Sequence, residues 1–135
     1  MQLNKTTDYA IRIVLYLSEQ KGVVTSEEIS NATGVSQNYV MRILRKMTKA
    51  GILQVTRGVN GGFSMNKRDD EVSLYDIITE MEKTIQINQC LDDEENCNLK
   101  RTDVCPVRKY YVSLQDEFEK SLKETTIAKL KSNVN

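Results

Sequence analysis

Between Ser36 and Gly51 the chain reads SQNYVMRILRKMTKAG, with apolar and basic residues interleaved on two helical patterns. Val40, Ile43, Leu44 and Met47 follow i, i+3, i+4, i+7 spacing, and Arg42, Arg45, Lys46 and Lys49 follow the same spacing two residues later. At about 100° per residue the two sets point to nearly opposite sides of one helix, a core face and a cationic face. Ser36 is a good N-cap residue, and Gly51 marks the stop.

The surrounding sequence supplies partners for that core face. A helix is predicted from about Thr6 to Glu19, with Thr6 or Thr7 as its cap, Asp8 in its first turn, and Ala10, Ile13, Val14 and Leu17 at helical spacing. Thr25 and Glu28 have capping-box spacing and open a second, short helix, in which Ile29 and Ala32 are expected to face inward and which Gly34 ends. After Gly51, ILQVTRGVNGGFSMN alternates apolar and polar residues on both sides of RGVNGG, a stretch rich in residues that tolerate positive φ. This predicts a two-stranded hairpin with Arg57 near its tip. A mostly α fold with one small hairpin, arranged as a winged helix-turn-helix, follows from this order of elements.

Charge is distributed to match. The 135 residues hold 19 basic and 19 acidic side chains, yet there is no acidic residue from Ile29 to Arg68, where seven basic ones lie. A basic block in a neutral chain fits a polyanion footprint, and the competing explanation is a solvated helix face. In a helix-turn-helix the N-terminal part of the second helix enters the major groove. Here that part offers Ser36, Gln37, Asn38, Tyr39 and Arg42. Gln and Asn pair with adenine and Arg with guanine through two hydrogen bonds each. Arg45, Lys46 and Lys49 suit phosphates, and Arg57 suits an adjacent minor groove. The expected partner is double-stranded DNA.

Downstream, SLYDIITEME reads as a fourth helix capped by Ser73. Then QCLDDEENCNLKRTDVCPVRK contains all three cysteines, Cys90, Cys97 and Cys105, in a chain without histidine. Three thiols at these spacings cannot build a closed four-ligand zinc site from one subunit. Thiolates favour iron–sulfur clusters, zinc or Cu(I), and the alternative is three unligated thiols. Pro106 fits the first turn of a long last helix running to about Lys131, placing Cys105 at its N-terminus, where N–H groups and the dipole favour a thiolate. Tyr111, Leu114, Phe118 and Leu122 form an apolar stripe on that helix, read as a dimer seam, with packing onto its own domain as the alternative. The expected organisation is residues 1–83 as DNA-binding domain, 84–105 as cysteine loop, and 106–135 as dimerisation helix and tail.

The opening MQLNKTTDYAIRIVLYL, the helix VSQNYVMRILRKMTKAGIL and the wing TRGVNGGFSM resemble the Rrf-two family of bacterial regulators over nearly the whole chain. The resemblance implies a homodimeric winged-helix transcription factor, acting on a pseudo-palindromic operator, with the long helix as dimer interface. It implies that Cys90, Cys97 and Cys105 are iron–sulfur cluster ligands. Asp8 falls where nitric-oxide-sensing members supply a carboxylate ligand from the partner subunit, which favours a 4Fe-4S over a 2Fe-2S cluster. Cluster-regulating members use a histidine shortly after the third cysteine, where this chain has Pro106, Val107 and Arg108. Asn60 stands in the wing where the family usually has glycine. The function implied is a transcriptional repressor whose DNA affinity follows cluster state under nitric oxide, redox or iron–sulfur stress. A cluster-free thiol-based redox regulator is the alternative.

No enzyme is expected, since GVNGG precedes a strand rather than a helix and no nucleophile motif is present. The short apolar run interrupted by Arg12 fits neither a membrane span nor a signal peptide, and the expected location is the cytoplasm.

Overall fold

In the computed structural model, which describes residues 2–133, the chain forms α1 (Lys5–Ser18), α2 (Ser26–Thr33), α3 (Gln37–Lys49), β1 (Leu53–Thr56), β2 (Gly62–Met65), α4 (Leu74–Met81), α5 (Gln89–Asp92), α6 (Pro106–Glu124) and α7 (Ile127–Ser132). The interior is built by the positions that helical spacing marks. Ala10, Ile13 and Val14 of α1, Ile29 of α2, and Val40, Ile43, Leu44 and Met47 of α3 have no solvent exposure. Burying each of the larger side chains contributes about 1.5–3 kcal/mol relative to leaving it in water.

β1 and β2 pair antiparallel, with Leu53 opposite Met65 and Val55 opposite Phe63. Val24, ahead of α2, adds a third short strand contact: its N–H donates to the Phe63 carbonyl at 2.9 Å, and the Phe63 N–H donates back at 2.8 Å. This bridge clamps the base of the hairpin against the helices. It also explains Gly62, since a Cβ there would lie 2.6 Å from the Val24 carbonyl oxygen.

Local capping differs in part from expectation. Thr25 accepts from the Glu28 N–H, and Ser73 with Asp76 forms a full capping box on α4. The α1 cap is Asn4 rather than Thr6 or Thr7. Its N-terminus is closed from a distance by Glu82, whose carboxylate accepts from the Asn4 N–H at 2.6 Å and from the buried Thr7 hydroxyl at 2.8 Å. In α2 the residue turned inward beside Ile29 is Thr33, not Ala32, because the Thr33 hydroxyl donates to the Ile29 carbonyl and is thereby satisfied.

The last helix does not run unbroken to Lys131. Thr125 and Thr126 adopt extended conformations between α6 and α7. The Leu74 N–H donates to the Thr125 carbonyl and the Ile127 N–H to the Val72 carbonyl, both at 2.9 Å. Two β-branched residues in succession favour this strand-like exchange over continued helix. Ile127 is thereby inserted into the winged-helix core with no exposure, and Lys131 ties down α7 through Asp69 at 2.8 Å.

The apolar stripe of α6 is also divided differently. Tyr111, Phe118 and Leu122 are half-buried against their own chain, along the side that carries buried Gln115. The exposed apolar residues are Val107, Tyr110, Val112 and Leu114, at 53%, 64%, 38% and 38% exposure. The apolar face of α6 is wider than its own domain covers.

Candidate nucleic-acid interface and cysteine pocket

α3 presents its cationic side to solvent. Arg42, Arg45, Lys46 and Lys49 are all exposed, as is Arg57 just beyond β1. Ser36 occupies the N-cap position, is exposed and makes no side-chain capping bond. Asn38 is exposed, whereas Gln37 donates from Nε2 to the Ser26 hydroxyl at 2.8 Å and thereby holds the two helices of the helix-turn-helix in register.

Tyr39 has a structural partner that the sequence reading missed. Its ring meets Tyr9 of α1 edge to face. Arg42 lies 5.7 Å from the Tyr39 ring centre, while Arg12 and Lys5 lie 5.3 and 5.6 Å from that of Tyr9. The Lys5 ammonium is held above its usual range by Tyr9. Lys5, Tyr9 and Arg12 fall at i, i+4 and i+7 on α1, a spacing that could have exposed the cluster in the sequence. α1 thus adds an aromatic and cationic flank to the recognition helix.

The cysteines converge. Cys90 on α5, Cys97 after a 3-10 turn, and Cys105 at the N-cap of α6 line one concavity of about 250 Å³ together with Asn88, Arg108 and Tyr111. All three are free thiols and half-buried. The Arg108 N–H donates to Cys105 Sγ at 3.5 Å, placing that sulfur at the positive end of α6. Cys97 lies among the N–H groups of Arg101, Leu99 and Lys100, which together with the Arg108 charge lower its pKa despite partial burial. Lys100 makes this wrap possible by taking a left-handed conformation, φ 51°. Arg108 also donates from Nε to the Cys90 carbonyl at 3.4 Å, joining the helix to the cysteine loop. Asn88 donates to Cys90 Sγ at 3.3 Å.

Asp8 is not among the residues lining this concavity. It is exposed on α1 and accepts from Arg12 at 3.2 Å. Among the described residues, no three His, Cys, Asp or Glu side chains are already close enough to grip one metal ion. The donor set suits a soft-metal group: Cys90, Cys97 and Cys105 line one cavity, Cys97 and Cys105 beside N–H donors that favour their thiolates, with the Arg108 guanidinium alongside.

An exposed basic helix, a hairpin wing and a helical scaffold define a winged-helix DNA-binding regulator of transcription. The chain belongs to the Rrf-two (Rrf2) family of iron-dependent transcriptional regulators, whose family pattern matches residues 3–133. Its fold is similar to that of CymR, the global cysteine regulator of B. subtilis, at TM-score 0.79 and 21% identity, covering 100% of this chain and 99% of that one. It is equally similar to T. potens IscR, at TM-score 0.79 and 18% identity over 100% and 89% of the two chains. Staphylococcus aureus CymR in its oxidized form aligns at TM-score 0.74 and 20% identity over 100% and 99%. The family is one of transcription regulators rather than enzymes. Among the described residues, no helix is long and apolar enough to cross a membrane.

Proposed function

We propose that this regulator is a cytoplasmic homodimeric repressor that binds a pseudo-palindromic operator and carries an iron–sulfur cluster on Cys90, Cys97 and Cys105. The observation that carries the reading is the shared concavity of the three thiols, with Cys105 capping α6. When bound, such a cluster supplies iron sites that nitric oxide, oxidants or iron loss destroy. Asp8 of a partner subunit would complete the ligand set, which favours a 4Fe-4S over a 2Fe-2S centre.

The residues of this chain would link the pocket to DNA as follows. Cys105 and Arg108 fix the start of α6 relative to Cys90. Gln115 of α6 accepts from the Ile87 N–H at 2.9 Å and donates to the Ile85 carbonyl at 3.1 Å. That segment follows Glu82, which caps α1, and α1 supports Tyr39 of the recognition helix through Tyr9. Ser36, Asn38, Tyr39 and Arg42 would address base edges, Gln37 would do so through its remaining carboxamide oxygen, Arg45, Lys46 and Lys49 phosphates, and Arg57 a minor groove. Two such helices held by one α6-centred dimer would meet successive major grooves about 34–36 Å apart. The exposed Val107, Tyr110 and Leu114 support that dimer.

Purification without air, followed by iron and sulfide analysis and an absorption spectrum, tests the reading. Coloured protein that loses both colour and its DNA-binding state with nitric oxide supports it. Iron-free protein that stays so after reconstitution overturns it. A second reading, direct thiol oxidation without a cluster, is favoured by the lowered Cys97 pKa. It expects colourless protein whose DNA binding changes with peroxide and recovers with dithiothreitol.

A further inference from the structure

The wing ends in an apolar point that no described residue covers. Val59 has 103% relative exposure, the highest of the exposed large apolar residues among those described. A single exposed valine is ordinary on a protein surface, so its surroundings decide the matter. The Gly61 N–H donates to the Gly58 carbonyl at 3.0 Å, closing a tight turn with Val59 and Asn60 at its corners. Gly58 adopts φ 112°, and a Cβ on Gly61 would stand 2.1 Å from the Thr56 carbonyl oxygen. Both flanking positions therefore exclude side chains, and the arm reaches its end as a thin backbone turn carrying two side chains, the isopropyl group of Val59 and the exposed carboxamide of Asn60. The base of the arm is locked by the Val24–Phe63 exchange, so the point is presented on a firm support. Arg57 precedes the turn, and no acidic residue lies between Ile29 and Arg68 to repel a polyanion.

We propose that Val59 is a specificity residue that reads the minor groove of DNA by rejecting the exocyclic amino group of guanine. A minor groove about 6 Å wide admits a thin arm and shows A·T pairs as acceptors only, while G·C pairs add that amino donor. Arg57 supplies donors for the acceptors. An isopropyl group pressed against the groove floor gives the guanine amino group no partner and excludes the water that would otherwise satisfy it. Proteins that enter this groove commonly bring apolar side chains as wedges beside their cations. The inference rests on the DNA-binding assignment and is independent of what the cysteines hold.

The test uses a duplex enriched from a random pool by the full-length protein. Each A·T pair flanking the major-groove contacts is replaced in turn by G·C and by inosine·cytosine, which lacks only the minor-groove amino group. At one or more flanking pairs, wild type is expected to bind the inosine duplex about five-fold or more tightly than the G·C duplex, the lower end of discrimination per base pair. Val59→Thr, nearly isosteric and able to accept from the amino group, is expected to bring the two within about two-fold while retaining affinity for the inosine duplex. Equal wild-type binding to G·C and inosine duplexes at every flank, or undiminished discrimination in Val59→Thr with an unchanged melting temperature, overturns the proposal. Cluster analysis of the same sample leaves this ratio unaffected, so failure here is distinct from failure of the sensing reading.

Discussion

The ring of Tyr9 meets that of Tyr39 edge to face, with centroids 5.6 Å apart and planes at 73°, so the first helix of the chain supports the start of the recognition helix. Such pairs contribute about 0.5–1.5 kcal/mol beyond simple burial. Tyr9→Leu is expected to lower unfolding free energy by about 1 kcal/mol, read from the urea midpoint. Affinity for DNA is expected to fall as well, through loss of Tyr39 positioning. Tyr39→Leu should produce no further loss of stability in the Tyr9→Leu background, and a double-mutant cycle checks this.

Much of this architecture is legible in the sequence because local signals and burial agree. Val40, Ile43, Leu44 and Met47 are buried as their spacing requires, Ser73 and Asp76 cap α4, and the glycines of RGVNGG turn the hairpin. The misses share a cause in tertiary contact. Glu82 closes α1 from 78 positions away, so no local pattern could reveal Asn4 as the cap residue. Thr125 and Thr126 leave the helix because the Leu74 N–H donates to the Thr125 carbonyl, the Val72 carbonyl accepts from the Ile127 N–H, and Ser73 bridges Thr126 between them. Cys105 at a helix start was readable from Pro106, whereas the N–H cradle around Cys97 depends on the backbone of Lys100.

Gln115 is a buried polar residue whose carboxamide satisfies one N–H and one carbonyl of the segment before α5. Gln115→Ala leaves both backbone groups without that partner, which costs about 1–3 kcal/mol. Hydrogen exchange at the Ile87 amide should accelerate in the variant, and the urea midpoint should fall. Gln115→Leu, which restores volume but not polarity, should fail to recover Ile87 protection.

Cys97 is expected to react as a thiolate at lower pH than an ordinary thiol, because the N–H groups of Arg101, Leu99 and Lys100 stabilise its anion. In a cluster-free Cys90→Ser, Cys105→Ser variant, the half-rate pH for iodoacetamide should lie below that of the same chain in denaturant. The direction follows from a folded pKa depressed relative to the unfolded one. Adding Arg108→Gln should raise the half-rate pH, since it removes a cation acting on the same sulfur.

Asp69 accepts from Lys131 at 2.8 Å and has its pKa lowered first by that hydrogen bond. A depressed carboxylate stabilises the fold above its unfolded pKa and loses that contribution as pH falls through its folded pKa. Both side chains are partly exposed, so the contribution is about 1 kcal/mol or less. Wild type should exceed Asp69→Asn in urea midpoint at neutral pH. The gap should close in acid, below the ordinary carboxylate range.

The break at Thr125 anchors the C-terminal end of α6 to the winged-helix core. A 19-residue helix is about 28 Å long. Held by the Thr125 strand contact, it cannot slide along its axis without tearing Ile127 out of the interior. What remains is a pivot: a displacement of about 3 Å at the Cys105 end would swing the rod through about 6° at this length. A change at the thiols would then reach the rest of the molecule as a small tilt of α6 about the strand contact at Thr125 and Thr126.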